Sequence, residues 1–409
     1  MRIFRKIHLW LSVPFGVIIT LICFSGAMLV FEPEITRGLK GDIYYVTSAE
    51  GEPIDMKELM ETVKATLPDS VSITGVTVFD DKDRTYQVSL SKPRRASLFI
   101  DQYSGKITGK YERIGFFSAM FRLHRWLLDS GNPHGGGLKV GKLLVGVSTL
   151  VFVIALVTGV VVWYPRAKRN LAHSLSISFK DGWRGLWKGF HVAGGMYALI
   201  LLLAMSLTGL TWSFNWYRTV FYAVCGVEHT PRNFNIAEKD HHKDKSEGGT
   251  HDSVRRGDDG NNRHGRYFSE HRGEGNRCSE FSRWQQIYNE LKAQNPDAAQ
   301  ITVGNETANV TLGTAGNSRS ADRYGFNRRS GEITPVMKYV DSAPADKLRG
   351  WIYSIHTGSL GGIITRILWF LGALLGASLP LTGYYIWLIR GNCMGSLFIG
   401  KKIGNKTGC

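Results

Sequence analysis

Cysteine is scarce in this chain, with five in 409 residues. That is too few to staple a small disulfide domain. No G-x-G-x-x-G run is followed by an acidic residue at dinucleotide-binding spacing, and no other nucleotide site can be read. No nucleic-acid motif accompanies the formal charge of +16. The most informative absence is of charge itself. Residues 9–31, 143–164, 192–217 and 367–389 each run for more than 20 residues without Asp, Glu, Lys or Arg. A helix of about 20 such residues crosses a bilayer. A wholly soluble protein is therefore excluded.

The basic residues gather beside these runs. Arg2, Arg5 and Lys6 precede the first; Arg166, Lys168, Arg169, Lys180, Arg184 and Lys188 lie between the second and third; Arg390, Lys401, Lys402 and Lys406 follow the fourth. Counted over short loops, this places both termini and the loop at 166–188 in the cytoplasm. The long connections, about 32–137 and 218–362, are then periplasmic in a bacterial inner membrane. The first run exceeds the apolar core of a cleaved signal, and no small-x-small site follows it, so it reads as a retained helix. On this reading Cys225 and Cys278 share the periplasm and could pair.

The two halves of the chain repeat each other. His8 is followed by Ser25-Gly26 and His191 by Thr208-Gly209 at the same spacing. Val88-Ser89-Leu90, Leu98-Phe99-Ile100-Asp101 and Ser104-Gly105-Lys106-Ile107-Thr108 match Val310-Thr311-Leu312, Arg323-Tyr324-Gly325-Phe326 and Ser330-Gly331-Glu332-Ile333-Thr334. Each set predicts a strand, a second strand, and a Ser-Gly turn into a third. Helix-like stretches precede them at about 55–66 and 282–294. Leu123-His124 then matches Ile355-His356, and Thr158-Gly159-x-x-x-Trp163 matches Thr382-Gly383-x-x-x-Trp387. The expected architecture is a membrane α-helical protein of four transmembrane helices in two parallel, pseudo-symmetric repeats, with two periplasmic α+β domains. The helices fall in 1–35, 116–165, 189–217 and 348–390; the α+β segments are 36–115 and 218–347; a tail occupies 391–409. Residues 238–277, rich in His, Asp, Arg, Gly and Asn, cannot bury a core and read as a solvated, disordered insertion. Weak metal binding by its His residues is a lesser alternative.

Four histidines stand at the mouths of the spans. His8 and His191 fall on the cytoplasmic side, His124 and His356 on the periplasmic side. Each pair consists of repeat mates that would face each other across the pseudo-axis. Two neutral imidazoles from opposite sides are what a six-coordinate haem iron requires. With no C-x-x-C or C-x-x-C-H present, attachment is non-covalent, and the expectation is two b-type haems. Small residues let a flat ring approach a helix. Gly195 follows His191 by one turn. Gly26 and Gly209 lie about 27 Å along their helices from His8 and His191, near the periplasmic pair. Gly159 and Gly383 fall near the cytoplasmic pair. Arg5, Lys6, Arg184 and Lys188 on one side, and Arg122, Arg125, Arg349 and Arg366 on the other, are available to haem acids. His134, in Asn132-Pro133-His134-Gly135-Gly136-Gly137, competes with His124, which the repeat match favours.

The ordered set Arg5-Lys6-Ile7-His8, Leu123-His124-Arg125, Phe190-His191-x-x-x-Gly195, Ile355-His356-Thr357-Gly358 and the four Ser/Thr-Gly pairs resembles the PepSY-associated transmembrane family of bacteria, over nearly the whole chain. The Ser-Gly tails at 101–107 and 326–333 look like PepSY domains. The resemblance implies an inner-membrane protein linked to iron acquisition, similar to haem-containing ferric-siderophore reductases. Electrons would come from quinol or a cytoplasmic reductase and reach a ferric siderophore or other ferric chelate in the periplasm. The insertion at 238–277 and the short Gly/Lys tail depart from the family pattern. Two other readings are a siderophore permease and a non-enzymatic sensor or peptidase modulator.

Overall fold

The computed structural model describes residues 2–93, 96–129, 140–179, 182–228, 280–313 and 316–399. The first half runs α1 (Arg2–Leu29), α2 (Glu32–Leu39), α3 (Gly41–Tyr44), α4 (Met56–Ala65), β1 (Ile73–Phe79), β2 (Tyr86–Leu90), β3 (Ser97–Ile100), β4 (Ile107–Lys110), α5 (Gly115–Trp126) and α6 (Val140–Arg169). Short α7 (Leu171–Ser174) and α8 (Gly182–Gly189) lead through a π-helical turn, Phe190–Gly194, into α9 (Gly195–Ser213). The second half continues with α10 (Asn215–Val224), α11 (Trp284–Gln294), β5 (Ala298–Gly304), β6 (Thr307–Leu312), β7 (Ala321–Phe326), β8 (Ile333–Met337), α12 (Pro344–Thr357) and α13 (Gly362–Ile399).

Four helical spans among the described residues are long and apolar enough to cross a membrane: Arg2–Leu29, Val140–Arg169, Gly182–Ser213 and Ser359–Ile389. They arise from the four charge-free runs. The third starts earlier than 189 because the π turn joins α8 to α9 without a break. The helix of the fourth runs on to Ile399, where a tail is expected from 391. α1 and α9 each pack against both α6 and α13, while α5 lies on α1 and α6, and α12 lies on α9. At mid-bundle Ile19, Phe152, Leu156, Ala198, Leu202 and Leu379 close an apolar layer to which all four spans contribute.

The α+β segments, expected as two units, share one sheet. Its order is β4-β3-β2-β1-β5-β6-β7-β8, antiparallel throughout. Each half contributes four strands rather than three, and the unexpected pair, β1 and β5, joins the halves. Gly75 faces Gly304 and Thr77 faces Thr302 across the join, with the two threonine hydroxyls 2.8 Å apart. A Cβ on either glycine would lie 2.9 Å from a carbonyl oxygen of the facing strand, so the approach requires residues without side chains. α4 and α11 cover one face. Met56, Leu59, Met60 and Val63 meet Trp284, Ile287 and Leu291 over the inward side chains Val76, Val88, Ile301, Val303 and Val310. One core therefore serves both halves. The Asp55 carboxylate caps α4 by accepting from the Lys57 N–H at 2.8 Å. The two Ser-Gly turns form as expected, with Gly105 and Gly331 at φ +71° and +75°, values that favour a residue lacking Cβ.

Two carboxylates of α2 fasten the sheet-side end of the bundle. Glu32 accepts two hydrogen bonds from Arg113, and Glu34 accepts two from Arg366 of α13, which also donates to the Val30 carbonyl. Burial pushes the Glu34 carboxyl up, but the Arg366 hydrogen bonds and charge outweigh it and leave its pKa below the ordinary value of 4.5. A carboxyl depressed in the native state contributes stability above the ordinary value and loses it as pH falls through the native one. The melting temperature is thus expected to fall in acid. Glu34→Gln should remove part of that pH dependence, and an unchanged melting-temperature slope in this variant would show that the pair contributes nothing.

Candidate metal centres

The four histidines sit in four copies of one local structure. Each is held by a carbonyl oxygen at position n of a neighbouring helix that carries a hydroxyl residue at n+3 and a glycine at n+4, and three of the four also reach that hydroxyl. His8 Nδ1 lies 3.0 Å from the Ala155 oxygen and 3.1 Å from Thr158 Oγ1, with Gly159 next in sequence. His191 Nδ1 lies 3.0 Å from both the Leu379 oxygen and Thr382 Oγ1, before Gly383. His356 Nδ1 lies 2.9 Å from the Met205 oxygen and 3.2 Å from Thr208 Oγ1, before Gly209. His124 Nδ1 lies 2.8 Å from the Ile22 oxygen, three residues before Ser25 and four before Gly26.

The spacing has a steric reason. A helical carbonyl at n already accepts from the N–H at n+4, and its second lone pair is reached from the side. A side chain at n+4 stands in that approach. A Cβ added to Gly26, Gly209, Gly383 or Gly159 would lie 2.9, 3.0, 3.4 or 3.5 Å from the Cε1 of its histidine. The glycines given by sequence to porphyrin clearance therefore lie directly under the imidazoles. Gly195 does not; its open side meets Leu379 Cδ2.

The hydrogen bond also sets the chemistry of each ring. A carbonyl can only accept, so Nδ1 carries the proton and Nε2 keeps its lone pair. The rings then pair across the bundle. His8 and His191 have their centres 6.3 Å apart with planes at 80°. His124 and His356 are 6.1 Å apart with planes at 53°. At metal–nitrogen bonds of about 2 Å, two end-on imidazoles hold their centres about 6 Å apart. Two neutral imidazoles at this separation are close enough to share one metal ion. Among the described residues no three His, Cys, Asp or Glu side chains gather at one point. Each pair thus offers two protein ligands.

The expected pairs are therefore brought together, one at each end of the bundle. His134 lies outside the described residues, as do Cys278 and the insertion at 238–277. Of the cations expected beside haem acids, Arg366 is engaged by Glu34 and Arg349 by Asp346 at 3.2 Å, while Arg122 donates to the Leu128 carbonyl at 3.3 Å. Arg5, Lys6, Arg184 and Lys188 are exposed at the other end. Sequence reading misses Trp212, whose ring centre is 5.1 Å from that of His356. It also misses Trp369, whose Nε1 donates to the Ile355 carbonyl at 2.6 Å.

A family model described as the PepSY-associated TM region matches residues 5–390. The chain belongs to the PepSY-associated transmembrane family. The match takes in all four histidines and all four Ser/Thr-Gly seats, so the site described above lies within the family region of the chain. No curated protein matches it.

Proposed function

We propose that this PepSY-associated membrane protein is a di-haem oxidoreductase of the bacterial inner membrane. It would pass single electrons from quinol or a cytoplasmic reductase to a ferric chelate, such as a ferric siderophore, in the periplasm. The observation that carries this reading is the fourfold seat: four imidazoles, each oriented with Nε2 unprotonated, arranged as two facing pairs at opposite ends of one bundle. With two protein ligands per pair, a cofactor that brings its own ligands, such as a porphyrin, would complete the metal's coordination. The donor set fits bis-histidine b-type haem, held by His8 and His191 at one end and by His124 and His356 at the other. Haem held by these four histidines would supply one-electron redox chemistry.

The chain's own residues orient and insulate. The four carbonyl hydrogen bonds hold the rings in place with Nε2 free to act as a ligand. His124 is seated 14 residues beyond His8 on α1, and His356 14 residues beyond His191 on α9. That spacing corresponds to about 21 Å along the bundle. It places one pair toward each face of a hydrocarbon layer about 30 Å thick. The apolar layer from Ile19 to Leu379 excludes water between them. The basic residues near 2–6 and 166–188 favour a cytoplasmic His8/His191 end. The two halves then act as parallel repeats, and the sheet stands in the periplasm above His124 and His356. One electron lost by the donor reduces one chelated Fe(III) to Fe(II), which hard oxygen ligands hold less tightly.

The absorption spectrum of the purified protein, oxidised and dithionite-reduced, tests the reading when haem is quantified per chain. Sharp reduced α and β bands at about two haems per chain are expected. A colourless protein from haem-replete cells overturns the proposal and returns the sensor and permease readings.

A further inference from the structure

The two ends of the bundle are held differently, and so are the two histidines nearest the sheet. His124 is on α5, which packs on α1 and α6. His356 is on α12, which is gripped by the connection between β6 and β7. The β6–β7 connection, residues 316–320, lies along α12 one to two turns before His356. Ser354 is fully buried, and its Oγ accepts from the Ser318 N–H at 3.0 Å and lies 3.0 Å from Ser318 Oγ. Ser359, just beyond the helix, donates to the same Ser318 hydroxyl at 3.1 Å. Buried Asn317 donates to the Tyr339 hydroxyl at 2.8 Å and leaves no room for a Cβ on Gly350. The Arg319 guanidinium sits over the Tyr353 ring at 3.6 Å. A second asymmetry lies on the other side of His356. Three residues past Gly209 stands Trp212, against the imidazole; three past Gly26 stands Leu29.

We propose that residues 316–320, acting through Ser354, together with Trp212, are the positioning elements of the His356 imidazole. The sheet then sets the ring angle of the sheet-side pair and of that pair alone. This inference rests on the haem reading of the two pairs. Ser354 is two residues before His356, so a small rotation of α12 turns the imidazole about its seat on Met205. Trp212 limits that rotation from one side and the clamp limits it from the other. The sheet-side planes meet at 53° and the other pair at 80°. The angle between axial imidazole planes governs the anisotropy of the low-spin ferric EPR signal, so the two pairs are separately observable.

The test uses the full-length, haem-loaded protein and the variants Ser354→Ala, Ser318→Ala, Ser318→Thr and Trp212→Leu. Ser354→Ala removes the partner of both bonds from residue 318, whereas Ser318→Ala leaves the backbone bond. One low-spin signal is expected to shift, more in Ser354→Ala than in Ser318→Ala, with recovery in Ser318→Thr. The midpoint potential of one haem moves with it. The second signal stays in place, and about two haems per chain remain. Trp212→Leu should shift the same signal. If the unaltered protein shows no haem signal, the functional reading fails and this inference falls with it. If it shows two signals and the variants lower the melting temperature while moving neither, the clamp merely stabilises the fold. That outcome overturns this inference alone.

Discussion

On the proposed di-haem reading, purified His356→Ala protein is expected to carry about one haem per chain, against about two for the unaltered protein. The remaining spectrum should be that of an intact low-spin centre. The reason lies in how the pair is built. His124 stays seated on the Ile22 carbonyl, but one imidazole cannot complete a six-coordinate iron, and among the described residues no third His, Cys, Asp or Glu stands beside the pair. The loss should not spread, because His8 and His191 are seated on Ala155 and Leu379 and bond to nothing at the sheet end. His124→Ala should give the same spectrum, and the double variant should be no worse than either single one, since removing either ligand already abolishes the pair. His8→Ala should remove the other centre instead. His173 makes a useful control, since it is exposed on α7, outside both pairs. Unchanged haem content and an unchanged reduced spectrum in His356→Ala would sink the assignment. Loss in His134→Ala without loss in His124→Ala would move the ligand to the other candidate.

Much of this arrangement can be read from sequence because it depends on features with a sequence signature. A charge-free run long enough to cross a bilayer needs no partner to be recognised. The four histidines and their Ser/Thr-Gly seats emerge from matched spacing between the halves. What the seats do is hidden, because the acceptor is a backbone carbonyl, and Ala155, Ile22, Met205 and Leu379 share no side-chain feature that marks them. Glycine reads as space, but not as space for which ring. The joining of the halves through β1 and β5 is hidden for a different reason. Thr77 and Thr302 are 225 residues apart, and Gly75 interrupts the alternation that would advertise β1 as a strand. The clamp on α12 is equally silent, since the polar stretch 316–320 looks like any solvated turn until its serine is found against Ser354.

The glycine seats make the second large effect, and the four are not equal. Gly26→Ala is expected to remove or displace the sheet-side haem, whereas Gly159→Ala should leave its pair intact. At Gly26 the new methyl would lie 2.9 Å from His124 Cε1 and 3.1 Å from Nδ1. Carbon atoms pack best at about 3.5–4.0 Å. The ring must therefore retreat by about half an ångström, and retreat lengthens the 2.8 Å bond from Nδ1 to the Ile22 carbonyl that aims Nε2. At Gly159 the methyl would lie 3.5 Å from His8 Cε1, an ordinary contact, and the ring has no need to move. Gly209, at 3.0 Å, should behave like Gly26, and Gly383, at 3.4 Å, like Gly159. Helix propensity works in the opposite sense, because alanine favours a helix over glycine by about 1 kcal/mol at all four positions. Melting temperature and haem content should therefore part company. On the proposed haem reading, Gly26→Ala should lose haem without a matching loss of fold, and Gly159→Ala should keep both. Haem per chain and a melting curve for the two variants decide the matter. If Gly26→Ala retains an unaltered spectrum, or Gly159→Ala loses its haem, the glycines are not seats for imidazoles, and the spacing of carbonyl, hydroxyl and glycine needs another explanation.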